Sequence, residues 1–319
     1  MSDPQNPARR NGGQLVRIGR RWGWLAVLAV GLPLFWLIHS ALISTGNPNL
    51  VPALLFFGAG LVPAAFVTFV AGRRLDFGVG PAVVGITALV GGAVGVTTAG
   101  FLEYRTLALL DVLPLIAVGV IEEVAKLVMP LVLLLFIRRR SPGDGLLIGV
   151  ASGAGFAVFE TMGYALVELV QSGGDLHVVD HLLVVRGLLS PAAHMAWTGL
   201  TSAALWSAAS HHWQRRSVGV LVLVYAIAVA LHTAWDSFDD DTLYTVLAAI
   251  SLSLLVYTTH RLAGLSRAQH VTSPGTGVCS RARARFPHRE EDSCGSAPSA
   301  VTSVPICRRS LPDSPPQTP

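Results

Sequence analysis

The sequence predicts an all-α, polytopic membrane protein, and three observations predict it. Of 319 residues, 52% are hydrophobic and only 13% are charged, with a mean hydropathy of +0.56. That is about half the charged fraction of an ordinary soluble domain. The apolar residues are gathered into eight long blocks, and the arginines fall mainly into alternate gaps between them. Long apolar blocks of this kind are what a bilayer core about 30 Å thick requires of a helix.

The blocks run over 22–43, 50–71, 81–102, 112–137, 146–170, 190–210, 217–238 and 242–260. The first follows Arg9, Arg10, Arg17, Arg20 and Arg21. It is full-length and no small-residue cleavage site follows it, so a retained span is expected and not a cleavable signal peptide. Arg73 and Arg74 follow the second block, Arg138 to Arg140 the fourth, and Arg215 and Arg216 the sixth. The opposite gaps hold two arginines, Arg105 and Arg186, beside Glu103, Asp111, Asp175, Asp180 and Asp239 to Asp241. By the positive-inside rule both termini are expected in the cytoplasm. The expected organisation is a cytoplasmic segment over 1–21, a transmembrane helical domain over 22–265, and a disordered cytoplasmic tail over 266–319.

The third block is rich in small residues, including Gly85, Gly91, Gly92, Gly95 and Gly100. Small residues let helix backbones approach closely, so this block is expected to pack centrally. The tail is Ser, Pro, Thr, Gly and Arg without apolar periodicity, and it holds all three cysteines, Cys279, Cys294 and Cys307. No disulfide framework or thiolate metal site is expected in the core. The basic balance comes from short loops and the tail, so nucleic acid is not an expected partner; the lipid bilayer is. The stretch from Gln171 to Leu189 has room for a short amphipathic helix on the outer surface. Its His177 and His181 are spaced i, i+4 but lack a carboxylate partner at a defined spacing, and are read as solvated. His39, near the outer end of the first block, has no partner in the sequence.

Four blocks carry ionisable groups well inside their apolar spans. The fourth contains Ile121-Glu122-Glu123-Val124-Ala125-Lys126. An ionised residue at a helix centre costs roughly 2.5–3.5 kcal/mol on insertion scales, and this helix carries three. Lys126 stands at i+4 from Glu122 and i+3 from Glu123, so its ammonium can partly neutralise either. One carboxylate is left over; it must be protonated, metal-bound or facing water, and each option requires a polar cavity. Lys126 is also the only lysine beside 22 arginines. The fifth block carries Glu160, the sixth His194, and the seventh His232 and Asp236, one turn apart and therefore on one face.

Counted from the predicted outer ends, Glu122 and Glu160 lie ~15 Å deep, His194 and His232 about 6 and 9 Å, and Asp236 about 3 Å. All fall in the outer half although the helices alternate in direction. One shared chamber opening outward accounts for this. Carboxylates and histidines together can activate a water molecule and protonate a leaving group. No nucleophile motif and no His-Glu-x-x-His signature is present, so direct attack by water is favoured over an acyl-enzyme. On this reading Glu122 or Glu123 is the base, Glu160 and His194 orient water or bind metal, and His232 polarises the carbonyl, with Asp236 fixing its tautomer.

Glu-Glu-x-x-Lys in one span, Phe-x-x-x-Glu in the next, then a single His, then His-x-x-x-Asp, over about 112–238, resemble the PrsW family of intramembrane proteases. That family is distantly related to the type II CAAX-prenyl endopeptidases and bacteriocin-processing proteases. The resemblance implies that Glu122, Glu123, Glu160 and His194 match the family's catalytic set and His232 its last histidine. Asp236 stands where the wider group often has asparagine. It further implies an intramembrane metalloprotease that cleaves membrane-anchored proteins such as anti-sigma factors near the outer face of a bacterial plasma membrane. Two histidines and a carboxylate, here His194, His232 and Glu160, would satisfy a catalytic zinc, which the sequence permits without requiring. The rival reading is a proton- or cation-coupled transporter, since intramembrane Glu, His and Lys also form proton relays.

Overall fold

The computed structural model describes residues 7–73, 77–137, 140–238 and 240–272, with side chains from 21 to 263 except 241. The stretch 273–319, with the three cysteines and most of the expected tail, lies outside the described residues, as do Arg74, Arg138 and Arg139. Nine α-helices are described: α1 (Pro7–Thr45), α2 (Val51–Ala71), α3 (Pro81–Leu110), α4 (Leu115–Phe136), α5 (Pro142–Gln171), α6 (Leu176–Leu189), α7 (His194–Ser210), α8 (Arg215–Ser237) and α9 (Asp241–Thr272). Every apolar block of the sequence becomes a helix, and no strand occurs among the described residues.

Seven spans among the described residues are long and apolar enough to cross a membrane. One of them, Leu176–Ser210, combines α6 and α7. Helix α4 has the length, 22 residues, but carries Glu122, Glu123 and Lys126. It packs on α3, α5 and α8 in the same bundle, so its charges are sheltered by protein and not by lipid. With it the bundle has the eight spans read from the sequence.

Helix α5 is the hub, in contact with α2, α3, α4, α6 and α7. Its glycines make this possible. A side chain at Gly155 would overlap the carbonyl of Ala88 on α3, and one at Gly92 of α3 would overlap Gly155 in return. On the opposite side, Gly145, Gly149 and Gly153, spaced four apart, face α7. A Cβ at Gly145 would lie 2.6 Å from the Trp206 ring, and one at Gly149 would overlap the Thr198 carbonyl. Helices in lipid associate through such close packing because hydrocarbon offers no hydrophobic drive between them.

Helix α6 differs from the expectation of a helix lying on the outer surface. Val179, Leu183 and Gly187 are buried, and Val179 and Leu183 join Leu55 and Ala59 of α2 and Ala165 of α5 in one apolar cluster. The sequence reading treated 171–189 as a loop because its apolar run is short and interrupted by His, Asp and Arg. The gap between α6 and α7 is a 3-10 turn over Ser190–Ala192, containing Pro191, so His194 opens α7 at a break in the span. Non-helical backbone at membrane depth is tolerated where protein buries it or a cavity receives it.

Candidate active site

Four helices, α4, α5, α7 and α8, bring the polar residues of the sequence reading together, and α6 adds one more. On α4, Lys126 Nζ lies 2.8 Å from Glu123 Oε1 and 3.1 Å from Glu122 Oε2, the two contacts that the i+3 and i+4 spacings dictate. The paired glutamates are not equivalent. Glu123 is 1% exposed and Lys126 0%, whereas Glu122 is 8% exposed.

A proline one turn further on shapes the same helix. Pro130 has no N–H, so the carbonyl of Lys126, four residues earlier, loses its intrahelical partner. Ser152 of α5 supplies the replacement: its hydroxyl donates to the Lys126 carbonyl at 2.7 Å, fully buried. The Lys126 ammonium also sits 4.4 Å from the centre of the Phe156 ring on α5.

His232 of α8 is the bridge between the acidic residues. Its Nδ1 lies 2.9 Å from Glu123 Oε1. Its Nε2 lies 3.4 Å from Glu122 Oε2 and 3.3 Å from Asp236 Oδ2. Asp236, with a side chain 30% exposed, marks the open side. The indole of Trp197 stacks on the His232 ring at 5.1 Å and is itself held by a hydrogen bond from its Nε1 to Ser251 of α9 at 2.9 Å.

His194 of α7 meets His232 edge to face, with ring centres 5.5 Å apart. Its Nε2 is 3.0 Å from Glu160 Oε2, while its Nδ1 is buried without a hydrogen-bond partner among the described residues. His194 thus has one nitrogen on a carboxylate, Nε2 on Glu160, whereas both nitrogens of His232 face carboxylates, Nδ1 that of Glu123 and Nε2 those of Glu122 and Asp236. Glu122, His194 and His232 each offer a ligand atom, and these three atoms lie within 4.8 Å of one another. The carboxylate of this trio is Glu122, where the sequence reading had grouped Glu160 with the two histidines.

Arg186 was missed. Its Nη2 lies 2.9 Å from Glu160 Oε2, its Nε donates to Thr161 Oγ1 at 3.3 Å, and its guanidinium stands 4.3 Å from the centre of the Tyr164 ring. Glu160 is thus shared between His194 and Arg186 through one oxygen, Oε2. No spacing pattern could have revealed this, because Arg186 lies on α6, in the stretch read as a loop. His39 likewise gains a partner, Asp180 of α6, at 2.7 Å. His177 and His181 are exposed on α6 and form no three-ligand group among the described residues.

Comparison with known proteins supplies one match. A family model described as PrsW family intramembrane metalloprotease matches residues 79–262, more than half of the chain and all of the site. No curated protein and no solved structure matches.

Proposed function

The chain belongs to the PrsW family of intramembrane metalloproteases, and from that premise we propose that it hydrolyses peptide bonds in membrane-anchored proteins, of the anti-sigma-factor kind. The reaction is assigned to the outward-facing side of a bacterial plasma membrane, with both termini in the cytoplasm. The observation that carries this reading is the convergence of Glu122, His194 and His232 from three helices to within 4.8 Å.

The donor set fits a catalytic divalent metal such as zinc. Two imidazoles and one carboxylate match the three-ligand pattern that leaves a fourth position for water. The buried, unpartnered Nδ1 of His194 is a nitrogen in search of a partner. Glu122, His194 and His232 would hold the ion, which when bound supplies a Lewis acid and a water of enhanced acidity.

The remaining residues have assignable tasks. With an ion held at Nε2, Glu123 would accept the Nδ1–H of His232, 2.9 Å away, and so orient the ring. That task belongs to Glu123 in this reading and not to Asp236. Lys126 sets its ammonium against both adjacent carboxylates, which offsets part of the cost of burying them. Glu160 orients His194 through Oε2, and its other oxygen takes the proton of the attacking water and delivers it to the leaving amine as the C–N bond breaks. Phe156 and Trp197 wall the imidazoles from solvent.

The test is cleavage of a membrane-anchored substrate by protein reconstituted in proteoliposomes. Glu160→Gln is expected to lose cleavage by about 10²–10⁴-fold while still binding zinc. Glu122→Gln is expected to lose both. Wild-type cleavage rates in both variants would remove this site from the chemistry, absence of cleavage by wild type would remove the protease assignment, and ion flux without peptide cleavage would favour the transporter reading.

A further inference from the structure

We infer that Arg186 is a positioning residue of the site: it holds Glu160 in the orientation the reaction needs, and so makes α6 a working wall of the active site. The inference rests on the protease reading above and assigns a role to a residue outside the sequence motifs.

The geometry is specific. Arg186 engages three residues on neighbouring turns of α5: Glu160, Thr161 and Tyr164. A guanidinium is planar, with its donors in a fixed fork, and stacks on aromatic faces as it bonds oxygen. The ring of Tyr164, the carboxylate of Glu160 and the hydroxyl of Thr161 therefore hold it from three sides. Lysine, a point charge on a flexible stem, could reproduce the pairing with Glu160 but not the fork. His194 Nε2 and Arg186 Nη2 approach the same oxygen, Glu160 Oε2, at 3.0 and 2.9 Å. Neither contact has hydrogen-bond geometry, so the restraint is electrostatic: two basic groups close to one oxygen hold that side of the carboxylate and leave Oε1 as the free oxygen. Without Arg186 only His194 restrains the carboxylate, which can then rotate.

The helix that carries Arg186 is itself anchored. Leu183 packs on the backbone of α2 at Gly58, where an added Cβ would lie 2.7 Å from its Cδ1. Asp180 joins His39 of α1 at 2.7 Å. The Arg186 side chain retains 29% exposure, so the site can be reached by a small solute if the side chain is removed.

The experiment compares wild type, Arg186→Ala and Arg186→Lys on one membrane-anchored model substrate in proteoliposomes, with Glu160→Gln as the reference. Arg186→Ala is expected to lower kcat on the order of 10²-fold, the scale of an ångström's misplacement of a reacting group, with KM within about twofold of wild type. Arg186→Lys should fall between the two. Guanidinium at low millimolar concentration should restore Arg186→Ala several-fold and leave Glu160→Gln unchanged. A second readout does not require turnover: the infrared carboxylate band of Glu160, identified by its loss in Glu160→Gln, should shift in Arg186→Ala and return toward wild type in Arg186→Lys. Absence of cleavage by wild type would overturn the protease reading while the band still decides the role of Arg186. Wild-type kcat in Arg186→Ala, a loss confined to KM, or an unshifted Glu160 band would overturn the inference.

Discussion

Helices α4 and α6 both deliver ionised side chains to the same site, but by opposite routes. On α4 the charges pair first within the helix, Lys126 reaching both Glu122 and Glu123 at the spacing of one turn, and His232 of α8 adds to a pairing already made. On α6 every charged side chain with a partner finds it on another helix: Arg186 on α5, Asp180 on α1. The first arrangement is a property of local sequence and the second a property of the fold. The α4 pair of Lys126 and Glu123 is also sealed, essentially without exposure, whereas the side chains of the α6 pairs keep 15–29% of their surface open. Burial and locality together set how much each contact is worth.

That contrast can be broken or sharpened by mutation, beginning with the sealed group. Lys126→Met leaves two buried carboxylates without their cation and is expected to destabilise the protein by about 3–5 kcal/mol, the cost of breaking a buried ion pair. Thermal unfolding in detergent would measure it. Lys126→Arg should be intermediate, since the charge survives but the wider fork must fit a space filled by an ammonium. If Lys126→Met unfolded like wild type, the pairing on α4 would be incidental.

The next effect is smaller and concerns the backbone under that lysine. Ser152→Ala removes the hydroxyl that donates to the Lys126 carbonyl freed by Pro130, and is expected to cost about 1–3 kcal/mol. Replacing Pro130 with Ala in the same variant should recover part of the loss by restoring an N–H. No recovery would mean that the Ser152 hydroxyl matters through packing alone. The smallest effect belongs to the open clasp of α6. His39→Ala is expected to change stability by ~0–1 kcal/mol, as for ion pairs that water still reaches; a loss near that of Lys126→Met would erase the distinction between the two helices.

The same distinction explains what the sequence made legible. Span number and the convergence of Glu122, Glu160, His194 and His232 followed from block length and depth counting, because helical rise and periodicity are local and regular. The small-residue character of α3 pointed to a central helix, but the centre is α5 and much of α3 faces outward; its glycines serve one close contact, Gly92 against Gly155. The role of α6 was not legible. Its apolar run is too short to stand out as a span, and its partners on α1, α2 and α5 lie far away in sequence. Nor could the difference between Glu122 and Glu123 be read, since adjacent residues on a helix differ by a rotation that only neighbours fix. Here His232 and Lys126 both take Glu123 Oε1, leaving Glu122 on the side of the imidazoles.

The central claim is that Glu122, His194 and His232 form one centre. Equilibrium zinc binding to the purified full chain tests it most directly, with Glu122→Gln, His194→Ala, His232→Ala and the double variant His177→Ala/His181→Ala measured side by side. The account predicts one zinc per chain in wild type and in the His177/His181 variant, and a fall in affinity of at least about 100-fold in each of the other three. Zinc retained at wild-type affinity in those three, or lost only when His177 and His181 are replaced, would contradict it.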